Sequence, residues 1–188
     1  MSDFLKNKII SITGGNGFLG KHVIKRLQQR NCKKILAADH KTYNLVDGRD
    51  VQKMYQDHKP DIVFHLAAQP IVSLSYSDPI ETISSNVMGT ANVLEALRLS
   101  NHKCTAIIIT SDKAYDNIEQ IWGYKEDDHM GGKDIYSGSK GAAELIIKSY
   151  FYSFFNKETC NVKLGIGRAG NVIGGGDWAK DRIVADCM

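Results

Sequence analysis

The chain has 188 residues, of which 43% are hydrophobic and 24% are charged, and its formal net charge is +3. This composition is typical of a folded globular protein and argues against intrinsic disorder. The charge is too mild to indicate a nucleic-acid partner. No apolar run approaches the ~20 residues of a membrane span, and the N-terminus lacks the layout of a signal peptide. We therefore expect a cytoplasmic protein that binds neither nucleic acid nor a membrane.

The cysteines are widely spaced and form no CxxC pair. They are Cys32, Cys104, Cys160 and Cys187. This spacing fits neither a disulfide framework nor a zinc site, so we expect reduced thiols and no metal centre.

Short apolar segments alternate with longer amphipathic segments along the chain. The segments that predict strands are 8–13, 34–38, 61–66, 104–110 and about 162–168. The segments that predict helices are 18–30, a stretch that begins after Asp78-Pro79, and about 137–155. Continuously apolar strands separated by helices indicate a parallel sheet that is buried on both faces. We predict an α/β fold, a Rossmann-type doubly wound parallel sheet with helices on both faces.

A glycine-rich segment, Thr13 to Gly20, joins the first predicted strand to the first predicted helix. Its glycines follow a GxxGxxG spacing. Glycine allows a positive φ in a tight turn and lets a pyrophosphate approach the backbone, and the following helix offers free N–H groups to the phosphates. This pattern predicts a dinucleotide site. The coenzyme-binding candidates in it are Gly14, Gly17, Phe18, Leu19 and Gly20.

Three residues outside this segment are further coenzyme-binding candidates. Asp39 ends the second predicted strand, where an acid accepts hydrogen bonds from the adenosine ribose and repels a 2′-phosphate, which favours NAD over NADP. Asp47 either contacts the adenine amino group or caps a helix before Val51, and both interpretations stay open. Ala67 is small enough to let the backbone approach the coenzyme, whereas His65 is interpreted as a packed strand residue.

The candidate chemistry lies at the end of the fourth predicted strand and in the following helix. Ser111, Asp112 and Lys113 follow that strand, and strand ends of this kind face the ligand crevice. Tyr136 and Lys140 are one helical turn apart, so they share a face. A phenol with a pKa near 10 is a poor base at neutral pH, and a nearby ammonium lowers that pKa. We expect Tyr136 to remove a proton from a sugar hydroxyl that Ser111 holds, while a hydride leaves for the nicotinamide.

These motifs together resemble the extended short-chain dehydrogenase/reductase family, and within it the CDP-glucose 4,6-dehydratases. The segments that carry the finer resemblance are 110–115, 122–127, 136–144 and 168–178. The resemblance covers essentially all of the chain, yet only the N-terminal half or so of the family's chain. It therefore implies that residues 1–188 form an NAD-binding domain that ends before most of the nucleotide-sugar-binding region, with the C-terminal substrate domain largely absent.

The resemblance also implies an activity. NAD oxidises the C4 hydroxyl of CDP-glucose, water is eliminated across C5 and C6, and the hydride returns to C6. Asp112 resembles the acid that protonates the departing C6 oxygen, and Asn171 is expected near the nucleotide-sugar. Lys113 stands where related dehydratases carry a glutamate base, and it either acts as a base or orients Asp112 or the substrate. A non-catalytic NAD-binding fragment and a 4-epimerase are the alternatives, although the Asp112-Lys113 pair argues against an epimerase.

Further expectations concern the surroundings of the site. The resemblance implies a homodimer through the Tyr136–Phe155 helix and a more structural role for Arg168. Glu144 follows Lys140 by one turn and is interpreted as an i,i+4 ion partner. Only residues 43–46 are available for the family's third strand, so we expect a very short edge strand there.

Overall fold

Five parallel strands form the centre of the part of the chain that the structure describes. The computed structural model describes residues 4–100, 102–179 and 181–188. The strands are β1 (Ile9–Thr13), β2 (Lys34–Ala38), β3 (Ile62–His65), β4 (Cys104–Ser111) and β5 (Val162–Ala169). Their order in the sheet is β2-β1-β3-β4-β5, with parallel pairing throughout. All of the predicted strands are therefore confirmed to within a few residues.

Helices connect these strands. They are α1 (Phe18–Gln28), α2 (Gly48–His58), α3 (Val72–Ser77), α4 (Pro79–Ile83), α5 (Gly89–Leu99), α6 (Ile135–Tyr150) and α7 (Ile183–Asp186). A π-helical turn, Ser84–Met88, joins α4 to α5, and a second one, Phe151–Phe155, extends α6. Among the described residues, every helix is too short or too polar to reach across a lipid bilayer.

Apolar side chains cover the sheet on both faces, which confirms the predicted doubly wound arrangement. On one face, Leu27 of α1 packs against Ile10, Ile12 and Ile62. The opposite face carries a larger core, in which α2, α5 and α6 contribute Met54, Leu94 and Ile147, among others. Successive side chains of a strand point to opposite faces, and β2 and β3 supply both cores in this way.

The expected edge strand at residues 43–46 is wrong, because this segment forms turns. Several of its backbone groups form hydrogen bonds with side chains instead of with a neighbouring strand. The amide of Asn44 donates to the carboxylate of Asp50 (3.1 Å), and the amide of Val46 donates to the side chain of Asn44 (3.1 Å). The side chain of Asn92 donates to the carbonyl of Val46 (3.0 Å). With those groups occupied, the segment leads directly into α2, which stands beside α5.

A buried histidine links β1, β3 and α5. The Nδ1 atom of His65 lies 2.7 Å from the Thr13 hydroxyl, and its Nε2 atom lies 3.2 Å from the Thr90 hydroxyl. The Thr90 hydroxyl donates to the carbonyl of Asn86, so it accepts from His65, and the ring proton is on Nε2. Burial, helped by the charge of Lys140, lowers the pKa of His65 to about 4. His65 is therefore a neutral structural residue, as the sequence indicates.

This histidine makes the stability of the protein depend on pH. Between pH 6.5 and about 4 the unfolded chain binds a proton on His65 that the folded chain does not bind. Stability is therefore full above pH 6.5 and falls as the pH drops, by about 3 kcal/mol in total. Urea unfolding at several pH values should show this loss in the wild type and a shallower one in His65→Gln. The variant His102→Gln, on an exposed residue, should keep the wild-type slope, and parallel slopes for all three proteins would contradict the assignment.

Candidate active site

The glycine segment and the residues after β3 meet at one point of the sheet. The crossover from β1 leads to β2 on one side, whereas β3 lies on the other side of β1. Open α/β sheets bind ligands at such a switch point, outside the carboxyl ends of the strands. Gly14 follows β1 and Ala67 follows β3, so both lie at this crevice. The fold therefore brings together the two segments that the sequence assigns to a coenzyme.

The turn between β1 and α1 has no room for side chains at two of its glycines. Gly14 has a φ of +71°, and a Cβ there would lie 2.8 Å from the amide nitrogen of Ala67. A Cβ on Gly20 would lie 2.3 Å from the carbonyl oxygen of Gly14. Gly17 precedes α1, and no side chain caps the helix there. The first N–H groups of α1 therefore face the crevice uncapped, an arrangement that fits a pyrophosphate.

The two candidate acids of the coenzyme site differ in their surroundings. Asp39 directly follows β2, where it accepts from the Lys41 amide (2.8 Å) and from the side chain of Asn16 (3.4 Å) in the glycine segment. Asp47 caps α2, accepting from the Arg49 amide (2.9 Å) and pairing with the Arg49 side chain at 3.1 Å. That pairing lowers the pKa of Asp47. The helix-cap interpretation of Asp47 is thus the one that the structure supports.

The candidate catalytic residues converge at the carboxyl end of β4. Tyr136 and Lys140 are each 7% exposed, and the ammonium of Lys140 lies 5.7 Å from the centre of the Tyr136 ring. The short helical turn Asp112–Ala114, which directly follows Ser111, packs against α6. The Ser111 hydroxyl also donates to the carboxylate of Asp112 (3.0 Å), and it accepts from the amide of Lys113 (3.2 Å). These five residues, predicted from separate motifs, therefore form one cluster.

The electrostatics of this cluster differ from the expectation. Burial raises the pKa of Tyr136 above 10, which the nearby Ser111 hydroxyl and the charge of Arg182 only partly offset. Burial also lowers the pKa of Lys140 to about 8. The expected depression of the tyrosine pKa by Lys140 is therefore wrong for the protein alone. Removing the phenolate from water costs more than the neighbouring polar groups return.

One cavity adjoins the cluster. It has a volume of about 470 Å³ and is lined by Asp112, Lys113, the Tyr115 and Tyr124 rings, and Asp134. A second cavity, of about 260 Å³, is lined by residues 70–73, 171–174, 177 and 181–184. Asn171 therefore lines a different cavity from Asp112 and Lys113.

The glycines after Asn171 reach back to the coenzyme side of the crevice. His22 of α1 bonds the carbonyl of Gly175 (3.0 Å), and a Cβ on Gly174 would lie 3.1 Å from the Phe18 ring. Phe18 is half-buried, and Leu19 beside it is also half-buried. The segment after β5 therefore touches the first turn of α1.

Glu144 does not pair along its own helix, so that expectation is wrong. Its side chain is buried and faces the sheet, where it contacts Arg168 of β5 at 2.6 Å. The structural interpretation of Arg168 is consistent with this ion pair.

Sequence reasoning missed one buried polar network beside the cluster. Asn86, in the π-helical turn, donates to the carbonyl of Gln69 (3.2 Å) and to the hydroxyl of Ser139 (2.9 Å), and it accepts from the Gln69 amide (2.8 Å). The sign of this network in the sequence is the side-chain amide of Asn86, which stands among apolar helix positions. The π-helical turn is a second sign, because such turns often accompany functional sites. Through Ser139 this network reaches the helix turn that carries Tyr136 and Lys140.

Known proteins match both the sequence and the fold. The model of the NAD dependent epimerase/dehydratase family matches residues 10–186. The chain is 43% identical to CDP-glucose 4,6-dehydratase of Salmonella typhimurium, covering 99% of this chain and 58% of that protein. It is 28% identical to dTDP-D-glucose 4,6-dehydratase of Dictyostelium discoideum, over 92% of this chain and 45% of the relative. The chain thus spans about half the length of these relatives.

Solved structures of known proteins also match the fold of this chain. UDP-glucose 4-epimerase of Thermus thermophilus, in complex with NAD, superposes with a TM-score of 0.74 at 25% identity, covering 88% of this chain and 56% of the other. RMD of Pseudomonas aeruginosa, complexed with NADPH, superposes with a TM-score of 0.75 at 28% identity, covering 90% and 55%. One of these neighbours holds NAD and the other holds NADPH, and both are nicotinamide dinucleotides of the kind that the glycine segment predicts. The chain belongs to the NAD-dependent epimerase/dehydratase family.

Proposed function

We propose that this chain is the coenzyme-binding part of a nucleotide-sugar 4,6-dehydratase whose substrate is CDP-glucose. The observation that carries the proposal is the cluster of Ser111, Asp112, Tyr136 and Lys140 at the end of β4, with Asp112 beside the residue that would hold the sugar hydroxyl. The 43% identity to a CDP-glucose 4,6-dehydratase supports the choice of reaction and of nucleotide. We further propose a homodimer in which the Tyr136–Phe155 helix packs against its partner copy.

The coenzyme would lie across the crevice at the switch point. The N–H groups at Gly17 to Gly20 would bind the pyrophosphate, Asp39 the adenosine ribose, and Tyr136 and Lys140 the nicotinamide end. When bound, NAD supplies a hydride acceptor that can return the hydride later in the same site. The tight turn fits this group, because its backbone leaves no side chain between the phosphates and the helix.

The residues of the cluster have separate tasks in the proposed reaction. Tyr136, in its phenolate form, takes the proton of the C4 hydroxyl, which Ser111 holds in place. Once C4 is a ketone, the C5 hydrogen is acidic, and Asp112 protonates the oxygen that leaves C6. Lys113 removes the C5 proton or orients Asp112.

A second candidate function is an NAD-binding unit without turnover. Coenzyme binding needs the glycine turn and Asp39 but not the proton transfers of the cluster. Incubation with CDP-glucose and NAD distinguishes the two functions. A 4-keto product, detected by its absorbance in alkali and by NMR, supports the dehydratase. A rise in melting temperature with NAD, together with no product, supports the second function and removes the catalytic claim.

Asp112→Asn should separate elimination from oxidation. With no acid to protonate the C6 oxygen, the formation of the 4-keto-6-deoxy product should fall about 10²- to 10⁴-fold. Oxidation at C4 should persist, visible as NADH that accumulates in a single turnover. Asp127→Asn removes an exposed carboxylate and should leave both steps unchanged. If Asp112→Asn retains normal turnover to an epimerised sugar, the enzyme is a 4-epimerase.

Gly20→Ala should abolish tight coenzyme binding. The new Cβ would lie 2.3 Å from the Gly14 carbonyl oxygen, so the phosphate turn must open. We expect the Kd for NAD, measured by calorimetry, to rise at least about tenfold. Gly165→Ala is the matched control, since nothing lies within 4 Å of a Cβ there. Equal Kd values for the two variants would show that the turn is not the phosphate site.

Asp39→Asn should change the choice between NAD and NADP. Removing the carboxylate weakens its bonds to the ribose and removes its repulsion of a 2′-phosphate. The ratio of the two Kd values should shift towards NADP by about tenfold or more. Asp127→Asn should leave the ratio unchanged, and an unchanged ratio in Asp39→Asn would exclude this acid from the ribose site.

A further inference from the structure

A buried ionic junction joins three elements directly behind the candidate catalytic cluster. The carboxylate of Glu144 is 1% exposed. It accepts from the Thr110 hydroxyl of β4 (2.5 Å) and from two nitrogens of Arg168 of β5, Nε at 2.9 Å and the terminal nitrogen at 2.6 Å. One carboxylate therefore ties α6 to two neighbouring strands.

The strand register explains why these residues meet. Thr110 and Arg168 are opposite partners on β4 and β5, so their side chains leave the sheet on the same face. Glu144 faces that side of the sheet from α6, one turn before the core residue Ile147. The guanidinium of Arg168 also lies 4.5 Å from the centre of the Tyr115 ring and donates to the carbonyl of Glu126 (3.2 Å). The junction thus holds the long loop after β4 as well.

Each member of the junction lies next to a candidate site residue in the chain. Thr110 precedes Ser111, and Glu144 follows Lys140 by one helical turn. Arg168 precedes Asn171 by three residues. Because Ser111 ends β4 and Tyr136 begins α6, a shift of α6 relative to β4 would change the position of Ser111 relative to Tyr136.

The chemistry of the junction favours a geometric role. Buried ion pairs lose about as much in desolvation as they gain in attraction, so apolar side chains would serve packing at least as well. The planar fork of an arginine on a carboxylate, in contrast, fixes both distance and orientation. Hydrogen bonds with Glu144 also raise the pKa of Arg168, so the guanidinium stays charged.

We propose that Thr110, Glu144 and Arg168 are positioning residues that fix Ser111 relative to Tyr136 and Lys140. The inference rests on the proposed function, because it takes those residues as the reacting groups. Apolar packing alone would hold α6 on the sheet, whereas the junction selects one placement of its catalytic turn.

The test compares variants that separate fold stability from site geometry. Arg168→Lys keeps the positive charge and loses the paired hydrogen bonds that the guanidinium donates to Glu144. The paired variant Glu144→Met with Arg168→Met removes both charges, so no buried charge is left without a partner. We expect the paired variant to keep a melting temperature near that of the wild type, while kcat falls about ten- to a hundredfold. Arg168→Lys should lose kcat similarly, with the KM and the Kd for NAD within about twofold, since the glycine turn does not touch the junction.

A second readout does not require turnover. The Tyr136 hydroxyl is titrated by ultraviolet absorbance, as the difference between each protein and its Tyr136→Phe counterpart. If Ser111 moves away, the midpoint should rise, because the Ser111 hydroxyl lowers the pKa of Tyr136 by favouring the phenolate. The matched control is Arg98→Lys, which breaks a separate arginine–carboxylate fork, Arg98 with Glu95 on α5, in the same way as Arg168→Lys and should change neither readout.

The outcomes distinguish the two proposals. If the wild type makes no product, the proposed reaction fails, and the Tyr136 titration still decides the role of the junction. A paired variant with wild-type kcat, or with an unchanged titration midpoint where there is no turnover, overturns the positioning role. A lower melting temperature with a wild-type kcat in Arg168→Lys would also overturn the positioning role.

Discussion

The close approach of the chain to itself between β1 and α1 is the constraint on which the site depends. Gly20 is so near Gly14 that a single added carbon would overlap a carbonyl oxygen. This turn directs α1 back along the sheet with its amino end at the crevice. The same turn touches the backbone at Ala67, so it also fixes the gap between β1 and β3. Phosphate groups, backbone donors and strand ends can meet there only because side chains are excluded.

Burial moves the pKa values of Tyr136 and Lys140 in opposite directions. It raises the pKa of Tyr136 above its usual value and lowers that of Lys140 to about 8. A neutral phenol is a poor base. A positive charge near the phenol would favour the phenolate, because it stabilises the charged form.

Most of the fold follows from local sequence patterns, and the predictions that are wrong share one cause. Continuously apolar runs predicted every strand, and the GxxGxxG spacing predicted the turn after β1 because both depend on neighbouring residues. Residues 43–46 could not be judged in this way, since Asn92, far along the chain, occupies their carbonyl groups. The pairing of Glu144 along its own helix is wrong for the same reason, because its partner lies on β5. The expected depression of the Tyr136 pKa is wrong because burial is a property of the whole fold.

Two polar contacts hold α6 on either side of Lys140. Ser139 bonds Asn86, which is fixed to the segment after β3, and Glu144 bonds the ends of β4 and β5. Lys140 lies between them. Apolar contacts such as those of Ile147 tolerate a small rotation or slide of a helix, whereas buried hydrogen bonds do not, because each displaced donor would be left without a partner. Holding a helix at two such points leaves the turn between them a single orientation.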